Sequence, residues 1–232
     1  AAIGAACRGR GVLCHVGAAQ AAGRVRVDVR AQRIDLLSLS AHKIHGPKGV
    51  GALYVNQATA GRVAPLMFGG GQERGMRPGT VATHQVAGMG EAFRLAGERL
   101  ATDAPRVRAL RARLWAALAV VPGLLLNGHP ERHAGHILNV SVDGVEGESL
   151  LLALEGLAVA SGAACASLSG EPSAVLRALG RPPHLAQASV RFSLGRTSTA
   201  ADVDEAAEVF VAAVARLRDL APPMATAAGG GR

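Results

Sequence analysis

The chain has 232 residues, a formal net charge of +8, 49% hydrophobic and 3% aromatic residues, and three cysteines. That length and apolar content allow a sizeable core in one large or two small domains, while a basic surface without interleaved aromatics excludes a nucleic-acid stacking platform. No apolar run reaches bilayer length, and an odd set of cysteines without a Cys-x-x-Cys pair argues against a metal site and a disulfide framework, leaving a soluble cytoplasmic protein as the expectation.

Taken in order, residues 1–11 read as the end of a helix closed by Arg8-Gly9-Arg10-Gly11, because glycine is favoured just past a helix. Residues 12–16 read as a strand, 17–20 as a turn, and 34–37 and 51–55 as two further strands. Helix, strand, turn and strand in this order predict an α/β fold with a mostly parallel sheet covered by helices. Between the last two strands runs Ser38-Leu39-Ser40-Ala41-His42-Lys43-Ile44-His45-Gly46-Pro47-Lys48-Gly49-Val50. Ser40, His42 and Lys43 would emerge at a strand end, where open α/β sheets place ligand chemistry. Gly46, Pro47, Gly49 and Gly51 predict a tight turn. A lysine here is either a solvated loop charge or an amine for Schiff-base chemistry, and the local pattern leaves both open.

Residues 56–79 are glycine-rich and read as a flexible connection. From 81 to about 121 apolar residues recur at helical spacing, with Val107, Leu110, Leu114 and Leu118 on one face and arginines at 106, 108, 111 and 113 on the others. Pro105 is predicted to open a second helix after Asp103. Strands follow over 124–126 and 136–141, a helix over 148–154, a short strand over 157–160, a helix over 172–179, a strand over 189–194 and an amphipathic helix over 202–217. The alanine and glycine tail beyond Pro222 has nothing to bury and reads as disordered. Cys165, among glycine, alanine and serine, is either a small buried hydrophobe or a nucleophilic thiolate on a moving loop. Arg191 opens a strand, either as a rim charge or as a bidentate partner for a carboxylate.

Several of these stretches together resemble the cysteine desulfurases, pyridoxal-phosphate enzymes that supply sulfur for iron–sulfur clusters. The resemblance rests on Ser40-Ala41-His42-Lys43-Ile44-His45-Gly46-Pro47-Lys48-Gly49-Val50-Gly51, Gly69-Gly70-Gly71-Gln72-Glu73-Arg74-Gly75-Met76-Arg77-Pro78-Gly79-Thr80, Ile137-Leu138-Asn139-Val140-Ser141, Val145-Glu146-Gly147-Glu148-Ser149-Leu150, Ser161-Gly162-Ala163-Ala164-Cys165 and Arg191-Phe192-Ser193-Leu194-Gly195-Arg196, in the family's order. It implies a pyridoxal-phosphate-dependent transferase of fold type I. Residues 1–100 would be the remainder of the large cofactor domain, 101–221 a small α/β domain with the cysteine loop, and 222–232 a disordered tail.

The resemblance also implies roles. Lys43 carries pyridoxal phosphate and acts as general base; Ser40 and His42 neighbour its phosphate, Thr80 contacts the phosphate across a homodimer, and Gln20 meets the phenolic oxygen. Arg191 takes the substrate carboxylate, with Arg196 as a second basic residue. Cys165 forms the persulfide and is expected to contact an iron–sulfur cluster only transiently, with no resident metal. L-cysteine would become L-alanine, and the sulfur would pass to a scaffold protein or to tRNA-modifying acceptors, with no membrane and no direct nucleic-acid partner. Two departures stand out. Gly17 occupies the place of a family aspartate that pairs with the cofactor's ring nitrogen, and an N-terminal part carrying half of the cofactor pocket is expected to be missing. An inactive, degenerate fragment and a selenocysteine lyase-like enzyme therefore remain as alternatives.

Overall fold

Helix α1 (Ala2–Gly9) ends in a glycine-based reversal. Gly11, at φ 65°, donates to the Arg8 carbonyl at 3.1 Å, and the Val12 N–H donates to the Cys7 carbonyl at 3.0 Å. This pair of bonds satisfies carbonyls that a helix end leaves without partners. The structure, a computed structural model, describes residues 1–161 and 172–221. The chain divides into two units, Ala1–Asp103 and Ala104–Arg232.

In the first unit, β1 (His15–Gly17) and β2 (Leu36–Ser40) pair in parallel, with His15 beside Leu36 and Gly17 beside Ser38. Both begin later than the sequence predicts, for local reasons. Val12 is still part of the reversal, and Arg33 takes a left-handed φ of 57°, which no strand continues through. Asp35 serves as an anchor instead: its Oδ2 accepts from the Cys14 N–H at 2.9 Å and its Oδ1 from the Thr59 hydroxyl at 3.4 Å. Strand β3 (Gly51–Val55) lies where the sequence puts it and pairs antiparallel with β2. The sheet described here is thus mixed rather than mostly parallel. Residues 41–50 join β2 to β3, and a parallel return needs a crossover of a dozen or more residues.

The Lys43 segment is held down by small side chains. Ala41 and Ile44 are buried, and Ile44 packs with Ala22 and Ala92. A Cβ at Gly46 would come within 3.0 Å of the Ala41 carbonyl and 3.1 Å of the Ala92 Cβ, so glycine permits that close approach. The Gln85 amide donates to the Lys48 carbonyl at 3.0 Å. Residues 56–79 contain two 3-10 turns, Gln57–Arg62 and Gln72–Gly75.

Helix α2 (Thr83–Leu118) is continuous and contains Pro105, which was expected to start a new helix. A proline inside a helix forfeits one backbone hydrogen bond, at about 3 kcal/mol. The helix persists because its apolar stripe is buried on both sides of that point: Met89, Ala92 and Ala96 in the first unit, and Val107, Leu110, Leu114 and Leu118 in the second.

The second unit is built on an antiparallel sheet of β4 (Leu124–Leu126), β5 (Ile137–Val142), β6 (Ala160–Ser161) and β7 (Ser189–Ser193), in the order β4-β5-β7-β6. Helices α3 (Gly147–Ala153), α4 (Ala174–Ala178), α5 (Pro183–Gln187) and α6 (Ala200–Leu220) complete it. Leu138, Val140, Val190 and Phe192 bury one face of the sheet, and Phe192 meets Phe210 of α6 edge to face at 5.8 Å between ring centres. The strand predicted over 157–160 is reduced to β6, because the Leu157 and Val159 amides bond locally, to Leu154 and Leu157. Helix α5 has no counterpart in the sequence reading, although Pro183 at its first position was an available signal.

Helix α3 is capped by a carboxylate. Glu146 accepts from the Ser149 N–H at 2.6 Å and from the Glu148 N–H at 2.9 Å. Those bonds, Ser149 first, hold its carboxyl below the ordinary range. Removing a cap costs about 1 kcal/mol, so Glu146→Ala is expected to lower the urea-unfolding free energy by about that amount at neutral pH. Because the folded pKa lies below the unfolded one, the carboxylate's contribution is complete above the unfolded value. It is lost as pH falls through the folded value, so the two proteins should converge in acid.

Candidate functional site

Gly17, the last residue of β1, pairs with Ser38 of the parallel strand β2, which runs on to Ser40, and the chain leaves this end of the strand pair twice. After β1 it turns through Ala18, whose N–H donates to the Ser38 carbonyl at 2.9 Å and whose carbonyl accepts from Ala21 and Ala22 at 3.0 Å; Gln20 lies in this turn. After β2 it passes Ser40 and enters a 3-10 turn, Ala41–Ile44, that carries His42 and Lys43 and ends at His45 with φ 68°. Such an edge is where α/β sheets bind ligands.

The composition of this turn is unusual within its own chain. Of the 25 lysines and arginines only two are lysines, Lys43 and Lys48, and both lie in the β2–β3 connection. Everywhere else the positive charge is guanidinium, which stays protonated and is no nucleophile, whereas an amine can lose its proton and react with a carbonyl. Lys43 and His42 are exposed, and Lys43 forms no ion pair among the described residues.

Thr80 lies on the exposed segment before α2, three residues from its start and apart from the two turns in sequence. Arg191 belongs to the second unit, on the inner strand β7, flanked by Asn139 of β5 and Ala160 of β6. Its Nε is buried and has no hydrogen-bond partner among the described residues, and a buried donor without one costs about 1–3 kcal/mol. Cys165 lies outside the described residues, as does the tail 222–232.

A polar network beside Arg191 was not singled out from the sequence. The Asn127 Nδ2 donates to Asn139 Oδ1 at 2.6 Å and to the Ser141 hydroxyl at 2.8 Å, and Arg181 Nε donates to Asn127 Oδ1 at 2.7 Å. The available signal was Asn139 and Ser141 alternating with Leu138, Val140 and Val142, which puts amide and hydroxyl on the same face as Arg191. Among the described residues no cluster of His, Cys, Asp or Glu is suited to a metal ion, and no helix is long and apolar enough to cross a membrane.

A family model for class-V aminotransferases matches residues 1–206. The chain is 54% identical to the cysteine desulfurase IscS of Methylococcus capsulatus over 222 residues, 96% of this chain and 55% of that protein. It is 52% identical to the cysteine desulfurase IscS of Escherichia coli, with the same coverage. A NifS-like protein from Rickettsia africae superposes with a TM-score of 0.81 at 25% identity, over 94% of this chain and 56% of that one. The chain therefore spans about half the length of the curated relatives it matches.

Proposed function

Because the chain belongs to the class-V aminotransferase family, we propose that the protein acts as a cysteine desulfurase, taking sulfur from L-cysteine and leaving L-alanine. The observation that carries the proposal is the exposed Lys43 amine at the end of a parallel strand, in a chain with only one other lysine, Lys48. The residues fit pyridoxal phosphate, the cofactor that the family implies. The amine, a hydroxyl, an imidazole and an amide gather on the two turns at one sheet edge, and a Cβ built on Gly17 meets nothing nearer than the Ser38 Oγ at 3.9 Å.

When bound, pyridoxal phosphate supplies an electron-withdrawing ring that stabilises negative charge at the substrate α-carbon. Lys43 would hold the cofactor through its Nζ and, as general base, would move the substrate α-proton. Ser40, His42 and Thr80 would hold its phosphate, and Gln20 its phenolic oxygen. Arg191, whose buried Nε has no partner among the described residues, binds the substrate carboxylate. The Cys165 thiolate attacks the substrate sulfur; an S–S bond forms, the substrate C–S bond breaks, and the carbon takes a proton. Alanine leaves, and the sulfur stays as a persulfide, to be passed to a scaffold protein for iron–sulfur assembly or to an acceptor in tRNA thiolation. The working form is a cytoplasmic homodimer, a reading supported by the exposure of Leu66 (95%) and Phe68 (86%) on the glycine-rich segment, apolar surface for a second copy to cover.

Gly17 favours a second reading, in which the protein is an inactive, degenerate member of the family. A carboxylate at hydrogen-bond distance holds a ring-nitrogen proton by roughly 1–3 pKa units, and glycine offers none. Gly17→Asp, for which the space exists, is therefore expected to raise alanine formation from L-cysteine by at least about tenfold, with selenocysteine run in parallel to separate a lyase. Cofactor binding without turnover in either protein would establish the inactive reading. Absence of cofactor binding would sink the desulfurase reading and leave the degenerate one.

A further inference from the structure

The polar network beside Arg191 has a direction. A guanidinium only donates, so the Asn127 atom that takes the Arg181 Nε–H at 2.7 Å is the amide oxygen, and the amide nitrogen is left for β5. That nitrogen donates to the Ser141 hydroxyl at 2.8 Å and to Asn139 at 2.6 Å, and the Asn139 atom that accepts from it is the oxygen. One donor-only side chain thus settles the orientation of two amides. Arg181 is held in turn by the Leu126 carbonyl, which accepts from its Nη2 at 2.7 Å, and the Asn127 N–H donates to the Asn139 carbonyl at 2.9 Å. With Oδ1 committed to Asn127, Asn139 offers its other neighbours the donor Nδ2.

Asn139 stands directly opposite Arg191 across the β5–β7 pair, and opposed residues of antiparallel strands carry Cβ atoms about 4.5–5.5 Å apart. Ala160, opposite Arg191 on β6, brings only a methyl group to the other flank. Asn139 and Arg191 are half-buried, and Arg191 forms no ion pair among the described residues. Two donor groups on facing positions suit an anion with two oxygens.

We propose that Asn139 is a second ligand, beside Arg191, for the substrate carboxylate, and that Arg181 and Asn127 are positioning residues that keep the Asn139 amide turned donor-first. The inference rests on the reading of Arg191 as the carboxylate ligand and adds a specificity to it. A carboxylate accepts from both groups, whereas a primary carboxamide turns its own NH2 onto one of the two donors. Were the Asn139 amide free to flip, its oxygen would face the carboxylate and that discrimination would be lost.

The test separates binding from turnover by using 3-mercaptopropionate, which is cysteine without its amino group and so cannot condense with the cofactor. Nitrogen–proton NMR on the full chain follows the Arg191 Nε–H, assigned by its loss in Arg191→Gln, and the Asn139 side-chain NH2, assigned by its loss in Asn139→Leu. Both signals are expected to shift saturably with 3-mercaptopropionate and to respond far less to 3-mercaptopropionamide. Asn139→Leu, close in shape and without the donor, should raise the dissociation constant by at least about tenfold. Arg181→Met should raise it as well, and Arg181→Lys, which still only donates, should bring it back towards the parent value. A network that serves stability alone would lower the unfolding midpoint of Arg181→Met and leave the dissociation constant where it was. That result, or a shift at Arg191 with none at Asn139, would overturn the inference and leave Arg191 as the carboxylate ligand. No saturable shift at Arg191 would overturn both.

Discussion

Replacing Lys43 with alanine is expected to lower alanine formation from cysteine by at least about a thousandfold, because one side chain is assigned both the covalent and the proton-transfer work, and proton transfer alone is worth roughly 10²–10⁴. The visible absorption of the lysine-bound cofactor should vanish with it. The fold should not change: Lys43 is exposed, so the thermal unfolding midpoint is expected to stay with that of the parent. Lys48→Arg is the matched control. Lys48 enters the structure through its backbone carbonyl, which accepts from Gln85, and a guanidinium in place of its amine leaves that bond intact. Retained turnover in Lys43→Ala, lost instead in Lys48→Arg, would reassign the amine by five residues. Retained turnover in both would end the reading of this turn as the reactive one.

Gly147→Ala is expected to destabilise the second unit by about 3 kcal/mol or more, well above an ordinary surface change. A Cβ there would lie 2.3 Å from the Gln187 carbonyl oxygen, 2.6 Å from the Gln187 carbonyl carbon and 3.0 Å from the Ala188 nitrogen. All three are backbone atoms where α5 gives way to β7, so no rotamer change relieves the clash. The first turn of α3 or the start of β7 has to move, and Arg191 lies on β7 three residues beyond Ala188. The urea midpoint reads the effect. Gly90→Ala, in the exposed face of α2 with nothing within 4 Å of the added carbon, should go the other way by about 0.5–1 kcal/mol. A Gly147→Ala protein as stable as its parent would mean that α3 does not press on β7.

Where the sequence reading succeeded, the deciding physics was local. Residues 51–55 form a short, largely apolar run bounded by turn formers, and Gly51–Val55 is a strand. The helix read over 148–154 is found as α3, Gly147–Ala153. Pro105 shows the limit of such reasoning, since its own preference for a first turn was outweighed by buried side chains on either side of it along one helix. The site was legible to the same extent. Ser40, His42 and Lys43 were placed by a strand followed by a polar turn, and Gln20 by its own turn. The Asn127–Arg181 bond joins residues 54 apart, and the buried Nε of Arg191 depends on two neighbouring strands, so neither leaves a trace in a local pattern.

The near-absence of lysine has a practical side. This protein carries its basic charge almost wholly on guanidinium groups, which acylating agents largely ignore, and confines its two side-chain amines to the β2–β3 connection. A reducing sugar would therefore find its side-chain amine targets on one connection, and glycation that other proteins spread across a whole surface would here fall on or beside Lys43, the amine proposed above to carry the cofactor.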